Sequence, residues 1–243
     1  MPMILYPAID LRGGQVVRLQ QGDPARQTHY SADPLAVAHR WQEAGAAWLH
    51  VINLDGAFQT ANDNLAVLGR LAGLGIPIQF GGGIRSLEDA ARAFDAGAAR
   101  VILGTAVAQD PALVEAFVAR WGAERLAVAL DSRGGQVAIH GWQAASAWTP
   151  VELGRALARR GAVHALYTDI VRDGGLQGVD VAGTARLAVE TGLQVIASGG
   201  VASLEDIRAL RATGQVAGAV VGKALYEGVF SLADALRVAA DLS

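Results

Sequence analysis

AIDLRGGQVV at residues 8–17 and ALDSRGGQVA at residues 129–138 are two copies of one segment, so Asp10 recurs as Asp131, 121 residues further on. The correspondence continues in order along the chain. DPLAVAHRWQEAGA (33–46) answers TPVELGRALARRGA (149–162), and LDGA (54–57) answers RDGG (172–175). GGIRSLED (82–89) answers GGVASLED (199–206), and ILGTA (102–106) answers VVGKA (220–224). The offsets, 116 to 121, are close to half of the 243 residues. Two equivalent halves, about 1–122 and 123–243, are expected to fold around a pseudo-two-fold axis. A site on that axis receives each functional group twice. Here the duplicated groups are an aspartate and glycine-rich loops, which points to paired carboxylate chemistry on a molecule with two similar ends.

Between these motifs, short runs rich in Val, Ile, Leu and Ala alternate with amphipathic stretches. The runs 3–8, 48–53, 76–80, 100–103, 126–130, 164–168, 193–197 and 217–221 show little polar alternation, as strands buried on both faces do. The stretches between them carry helix-start signals. Asp33-Pro34, Asp110-Pro111 and Thr149-Pro150 each place a capping side chain before a proline at the first helical position. Ser86, Ser203 and Ser231 each stand three residues before an aspartate, in the manner of a capping box. Gly45, Gly122 and Gly161 follow helical runs, where a left-handed cap suits glycine. Eight strand–helix units with no linker predict one α/β domain over residues 1–243, a (β/α)8 TIM barrel. A doubly wound open sheet also alternates, but a four-plus-four duplication closes more naturally as two half-barrels.

Hydrophobic residues make up 52 % of the chain and charged ones 18 %, with a mean hydropathy of +0.29. No apolar run approaches the ~18 residues needed to span a bilayer. MPMILYPAID lacks a basic leader region and is read as the start of structure rather than a signal peptide. The absence of cysteine excludes disulfides, thiolate catalysis and cysteine-held metals together. A net charge of −3 and a pI near 5.9 leave no footprint for nucleic acid. The five histidines, at 29, 39, 50, 140 and 164, have no metal-ligand spacing, and His50 is the one expected to face a pocket. A cytoplasmic monomer without metal, nucleic-acid partner or membrane contact is expected.

In a (β/α)8 barrel the site lies at the C-terminal ends of the strands. Asp10 and Asp131 would end strands 1 and 5, across the mouth from each other. Proton shuttling needs one carboxylate ionised and the other protonated, so their environments should push their ionisations apart. A lone aspartate there is more simply a turn residue bonded to nearby backbone; the symmetric pair favours the acid–base role. Gly82, Gly83, Gly104 and Thr105 follow strands 3 and 4, and Gly199, Gly200, Gly222 and Lys223 follow strands 7 and 8. Bare backbone N–H groups beside a helix start make an anion site. Tight βα turns alone would also call for glycine, but the duplication favours phosphate at both ends of a ligand. Asp173-Gly174-Gly175 could join the second set. Thr168 could offer a hydroxyl or simply pack as a β-former. Arg18, Gln20, Gln21 and Gly22 read as a mobile first loop able to bind phosphate or cover the pocket. Trp142 could stack on a heteroaromatic ring.

PAIDLRGGQVVRLQQGD (7–23), FGGGIR (80–85), VALDSRGG (128–135), YTDIVRDGGLQG (167–178), ASGGV (197–201) and VVGKALYEG (220–228) together resemble the phosphoribosylformimino-5-aminoimidazole carboxamide ribotide isomerases of histidine biosynthesis. The resemblance covers the whole chain. It implies an internally duplicated barrel that performs an Amadori rearrangement, aminoaldose to aminoketose, on a ribotide carrying two phosphates. It also implies that neither a metal nor an organic cofactor takes part. Carried over, it makes Asp10 the general base and Asp131 the general acid, with Thr168 positioning the substrate; the aspartate in the place of Asp173 is the alternative acid. Gly83, Gly104 and Thr105, with Arg85 of FGGGIR beside them, match one phosphate site. Gly174, Gly200, Gly222 and Lys223 match or border the other. Gly175 departs from the threonine common at that place.

Three alternatives remain at this level. The cyclase subunit of imidazole glycerol phosphate synthase is a sister barrel, but it begins with a cysteine-bearing CLD motif where this chain has AID. A dual isomerase would also act on phosphoribosylanthranilate, and loop shape would decide that. A phosphosugar-binding barrel without activity would have no need of either carboxylate.

Overall fold

The computed structural model describes residues 3–60 and 64–240. Its frame is eight parallel strands, β1 (Ile4–Arg12), β2 (Leu49–Asn53), β3 (Ile78–Gly81), β4 (Arg100–Leu103), β5 (Leu126–Ala129), β6 (His164–Thr168), β7 (Gln194–Ser198) and β8 (Val216–Val221). They pair in sequence order, and β8 returns to β1 from Ile4↔Gly218 to Pro7↔Val221, which closes the barrel. The principal helices on its outside are α1 (Pro34–Glu43), α2 (Leu65–Ala72), α3 (Leu87–Asp95), α4 (Leu113–Trp121), α5 (Pro150–Ala158), α6 (Val181–Thr191), α7 (Leu204–Ala212) and α8 (Leu232–Ala240). The chain therefore has the (β/α)8 fold.

The helix starts follow from the side chains that satisfy their orphan N–H groups. Ser86 and Asp89 form a reciprocal capping box at α3, Ser203 and Asp206 repeat it at α7, and Thr149 and Glu152 form one at α5. Asp33 accepts from the N–H groups of Leu35 and Ala36, with Pro34 opening α1. The Asp110-Pro111 signal opens a turn instead. Asp110 accepts from the Ala112 N–H at 3.1 Å, and α4 begins only at Leu113.

Two apolar layers hold the barrel. Leu5, Ile9, Val51, Phe80, Leu103 and Phe117 fill the space between strands and helices, whereas Tyr6, Ala8, Ile102, Ala127, Leu166, Ile196 and Val220 pack inside the barrel. Both faces of each strand are thus covered, which is why the strands read as continuous apolar runs.

The first strand and the loop after it differ from expectation. β1 does not stop at residue 8 but runs to Arg12, and residues 18–22 form a strand end and a tight turn where a loop was expected. The chain turns at Gly13-Gly14 (φ +58° and +75°) into an antiparallel strand, Gln15–Gln20. It turns again at Gln21-Gly22 (φ +54° and +74°) and returns along Asp23–Ser31. Two-residue turns with both φ positive match the right-handed twist of the flanking strands. The duplicate behaves alike: Arg133-Gly134-Gly135-Gln136 turns Ser132–Arg133 back along Gln136–Ile139, and Ala144–Ala145 pairs beyond it. RGGQ is a hairpin signal in both halves.

Candidate active site

The C-terminal ends of the strands surround a cleft of about 1280 Å3, counting its open mouth. Asp10, Arg18, Gly22, Gly83, Arg85, Gly104, Thr105, Asp131, Trp142, Thr168 and Asp173 line it. A smaller hollow of about 310 Å3 adjoins it and shares Arg18 and Asp173; Gly174, Gly200, Gly222 and Lys223 line that hollow. The acid–base, threonine, arginine, lysine and tryptophan candidates and the paired glycines therefore border one of two adjacent cavities, whereas Gln20, Gln21 and Gly175 line neither.

Asp10 stands inside β1, paired on one side with Ile52 of β2 and on the other with Val17 of the first hairpin. That hairpin swings Arg18 back over the mouth. Arg18 Nη1 reaches Asp10 Oδ2 at 2.8 Å, and its Nη2 lies 4.0 Å from Asp173 Oδ1. Burial works against the guanidinium's charge, but Asp10 and Asp173, with smaller help from Tyr226 and Tyr30, together outweigh it and hold it charged. Burial raises the Asp10 ionisation to about 6; Arg18 opposes that rise and Asp173 adds to it. Asp173 is also raised by burial, against the pull of Arg18 and of the Gly174 N–H.

Asp131 follows β5, and its partners are different. Trp142 Nε1 donates to Asp131 Oδ2 at 2.8 Å. The Thr168 hydroxyl is near enough to favour the carboxylate, yet it closes no hydrogen bond of good geometry, so the buried Oδ1 has no partner among the described residues. Burial raises this carboxyl to about 6, with Thr168 and Trp142 opposing and Asp173 assisting. Asp131 forms no ion pair among the described residues. Burial raises both carboxyls to about 6, but the groups opposing that rise differ, Arg18 at Asp10 and Thr168 with Trp142 at Asp131. What separates the aspartates is their partners: a cation on Asp10, a neutral indole on Asp131.

Sequence reasoning missed how the mouth is fastened. The indole of Trp142 packs under the tip of the first hairpin, where a Cβ on Gly22 would fall 2.5 Å from its Cε3. Arg133 donates to the carbonyls of Trp142 and Gln21, and the Gln21 N–H donates to the Asp173 carbonyl at 3.2 Å. The loops after β1, β5 and β6 are tied together over the site. His140 and Trp142 hold positive φ (+56° and +67°) in this closure, a conformation that costs non-glycine residues energy. The signal available was HGW beside the second RGGQ hairpin.

The glycine loops have steric reasons as well. A Cβ on Gly83 would meet Gly56 backbone at 2.5 Å, and one on Gly200 the Gly178 carbonyl at 2.4 Å. Gly104 and Gly222 open short helices with matching dihedrals, φ/ψ −113°/−92° and −114°/−98°. Thr105 accepts from the His140 N–H at 2.8 Å, and Arg85 donates to the Gly56 carbonyl at 2.7 Å. Lys223 Nζ donates to the Gly174 carbonyl at 3.0 Å, and the Arg18 guanidinium lies against Gly222, where a Cβ would come within 2.5 Å of Nη2.

Fold and site define a duplicated (β/α)8 barrel with two largely buried carboxylates at the mouth, one in β1 and one just after β5. Residues 4–231 match the family described as histidine biosynthesis protein, and the chain belongs to that family. It is 51 % identical, over 98 % of its own length and 99 % of the relative's, to the 1-(5-phosphoribosyl)-5-((5-phosphoribosylamino)methylideneamino) imidazole-4-carboxamide isomerase of Moorella thermoacetica. Proteins of the same name from Pelotomaculum thermopropionicum and Dinoroseobacter shibae are each 48 % identical over 98 % of this chain, covering 92 % and 100 % of their own lengths.

Proposed function

We propose that this chain catalyses the Amadori rearrangement of the formimino-aminoimidazole carboxamide ribotide, an aminoaldose with two phosphates, to its phosphoribulosyl aminoketose. Full-length similarity to isomerases named for that substrate supports the reaction. The observation that carries the mechanism is that two largely buried carboxylates, one in β1 and one just after β5, border one cavity and, of these two, only Asp10 is paired with a cation. A carboxylate held by Arg18 is suited to be the base. A carboxyl with an unmatched buried oxygen and a neutral partner is suited to carry a proton, which favours Asp131 over Asp173 as the acid.

Asp131 gives its proton to the furanose ring oxygen, the C1–oxygen bond opens, and the amine nitrogen forms a C1=N iminium. Asp10 then removes the proton on C2, and the electrons move to a C1=C2 enaminol. Protonation of C1 with loss of the C2 hydroxyl proton leaves the C2 ketone, so the reaction is an isomerisation throughout. Exchange with solvent returns Asp10 and Asp131 to their starting states. Thr168, beside Asp131, would orient the sugar. Gly83, Arg85, Gly104 and Thr105 would hold one phosphate; Gly174, Gly200, Gly222 and Lys223, with Arg18 close by, the other.

The test is turnover by purified, metal-free protein on this ribotide and, separately, on phosphoribosylanthranilate. Turnover of the first alone is expected. Turnover of both would widen the substrate range, and turnover of neither by folded protein would overturn the proposal.

A further inference from the structure

The duplication supplies an internal comparison for every position inside the barrel. Ile52 beside Asp10 corresponds to Thr168 beside Asp131, so two residues earlier His50 corresponds to Leu166. Gly81 and Ser198, each before a Gly-Gly pair, correspond, so Gln79 on β3 corresponds to Ile196 on β7. Leu166 and Ile196 are buried apolar residues of the inner layer. In the first half the same two places hold a polar pair that is just as buried, His50 at 4 % exposure and Gln79 at 0 %. Polar groups in an apolar layer cost free energy unless bonded, and Gln79 Oε1 has no partner among the described residues. Packing alone is met by Leu and Ile on the other side, so it does not account for this pair.

The pair has a defined geometry. Gln79 Nε2 lies 2.8 Å from His50 Nδ1, and the His50 ring borders the large cavity together with Asp10 and Arg18. Burial, and then Arg18, lower the His50 ionisation to about 3, so the ring is neutral at pH 7. A neutral imidazole carries one N–H. With Nδ1 accepting from the Gln79 amide, that proton resides on Nε2. The reverse amide orientation would leave both buried amide protons unmatched, where this one leaves the carbonyl oxygen and one of them.

We propose that Gln79 is a positioning residue that locks His50 as an Nε2-protonated hydrogen-bond donor to an oxygen of the bound sugar beside Asp10. The sugar as acceptor rests on the isomerase reading; the locked tautomer does not. As the enaminol is protonated at C1 and its C2 hydroxyl proton leaves, the C2 oxygen gains carbonyl character, and a fixed neutral donor polarises it without giving up its own proton.

The experiment is nitrogen-15 NMR of histidine-labelled protein at pH 7, with the His50 signals assigned by their loss in His50→Gln. The wild type is expected to show His50 protonated at Nε2 and bare at Nδ1. Gln79→Met should mix the two tautomers and lower kcat roughly tenfold with KM little changed. Gln79→Glu, equal in size and available if the methionine variant fails to fold, should reverse the tautomer, because its carboxylate accepts from Nδ1–H. A wild-type His50 protonated at Nδ1 would overturn the proposal whatever the turnover. So would unchanged kcat in a variant whose tautomer has shifted. The expected tautomer with no turnover of the ribotide would instead sink the isomerase reading, and with it the sugar as acceptor.

Discussion

Replacing Asp131 with asparagine should disable the enzyme and stabilise the fold. The carboxyl ionises at about 6 instead of the ordinary 3.8, chiefly because it is buried. A carboxyl with a raised folded-state value prefers its proton when folded. Between 3.8 and 6 the unfolded chain gives that proton up and the folded one keeps it, so stability present below 3.8 is lost as the pH rises through 6. About two pH units at 1.36 kcal/mol each set a ceiling of about 3 kcal/mol. Water at the open mouth reduces this to roughly 1.5 kcal/mol. Asparagine removes the charge and keeps an oxygen to accept the Trp142 indole N–H, 2.8 Å away in the parent. Urea unfolding of both proteins at pH 4 and pH 8 reads the difference. The variant should be more stable by about 1.5 kcal/mol at pH 8, with the gain fading toward pH 4, while kcat falls by about 10²–10⁴. Equal stabilities at pH 8, or a difference constant with pH, would refute the argument that burial of this charge destabilises the fold.

Asp10→Asn should lower kcat by a similar factor while substrate affinity, read by titration under non-turnover conditions, changes little. The acid limb of kcat/KM should fall below about pH 6 as Asp10 takes up a proton; Arg18→Met should move that limb to higher pH, because Arg18 holds the carboxylate ionised, and an unmoved limb would remove Arg18 from the mechanism. Trp142→Phe withdraws a donor that favours ionised Asp131, so the basic limb should shift upward in the same profile. Gly200→Ala places a Cβ 2.4 Å from the Gly178 carbonyl at a φ of +91°; a loss of roughly 2 kcal/mol in urea unfolding is expected.

The barrel was readable because its strands are buried on both faces and its helices begin with side chains that cap them. Most strand limits fall within a residue or two of the apolar runs, and the serine and threonine caps act where they were expected. The first hairpin was not read, for a physical reason. Val16, Val17 and Leu19 are an apolar run interrupted by Arg18, and a charge in such a run reads as loop until a buried partner is known. That partner, Asp10, is eight positions away and is brought opposite only by the Gly13-Gly14 turn. The Trp142–Asp131 bond was unreadable in the same way, since it depends on a backbone with positive φ at a tryptophan. The glycines were readable as turns and as anion loops alike, and the backbone clashes a Cβ would make at Gly83 and Gly200 show that there the first requirement holds regardless of the second.

The duplication builds a symmetric scaffold, and chemistry requires that the symmetry be broken. The two RGGQ hairpins superpose their registers: Asp10 pairs with Val17, and the Asp131 carbonyl accepts from the Ala138 N–H at 2.8 Å. One position further, the first hairpin has Arg18 and the second has Ile139. That single difference puts a cation on one carboxylate and leaves the other to an indole. Beneath them, His50 and Gln79 replace the Leu166 and Ile196 of the opposite wall. On the strands' exits, Asp55 of LDGA is used structurally, accepting the Gly13 N–H at 2.6 Å, while its counterpart Asp173 of RDGG turns toward Arg18 and the cavity. A proton acceptor and a proton donor cannot be two identical groups at one pH. Under the proposed roles the distinction comes from neighbours such as Arg18 and Ile139, at matching places on hairpins of like register, so that mutating Ile139 to a cation should press Asp131 toward the ionised form and lower kcat.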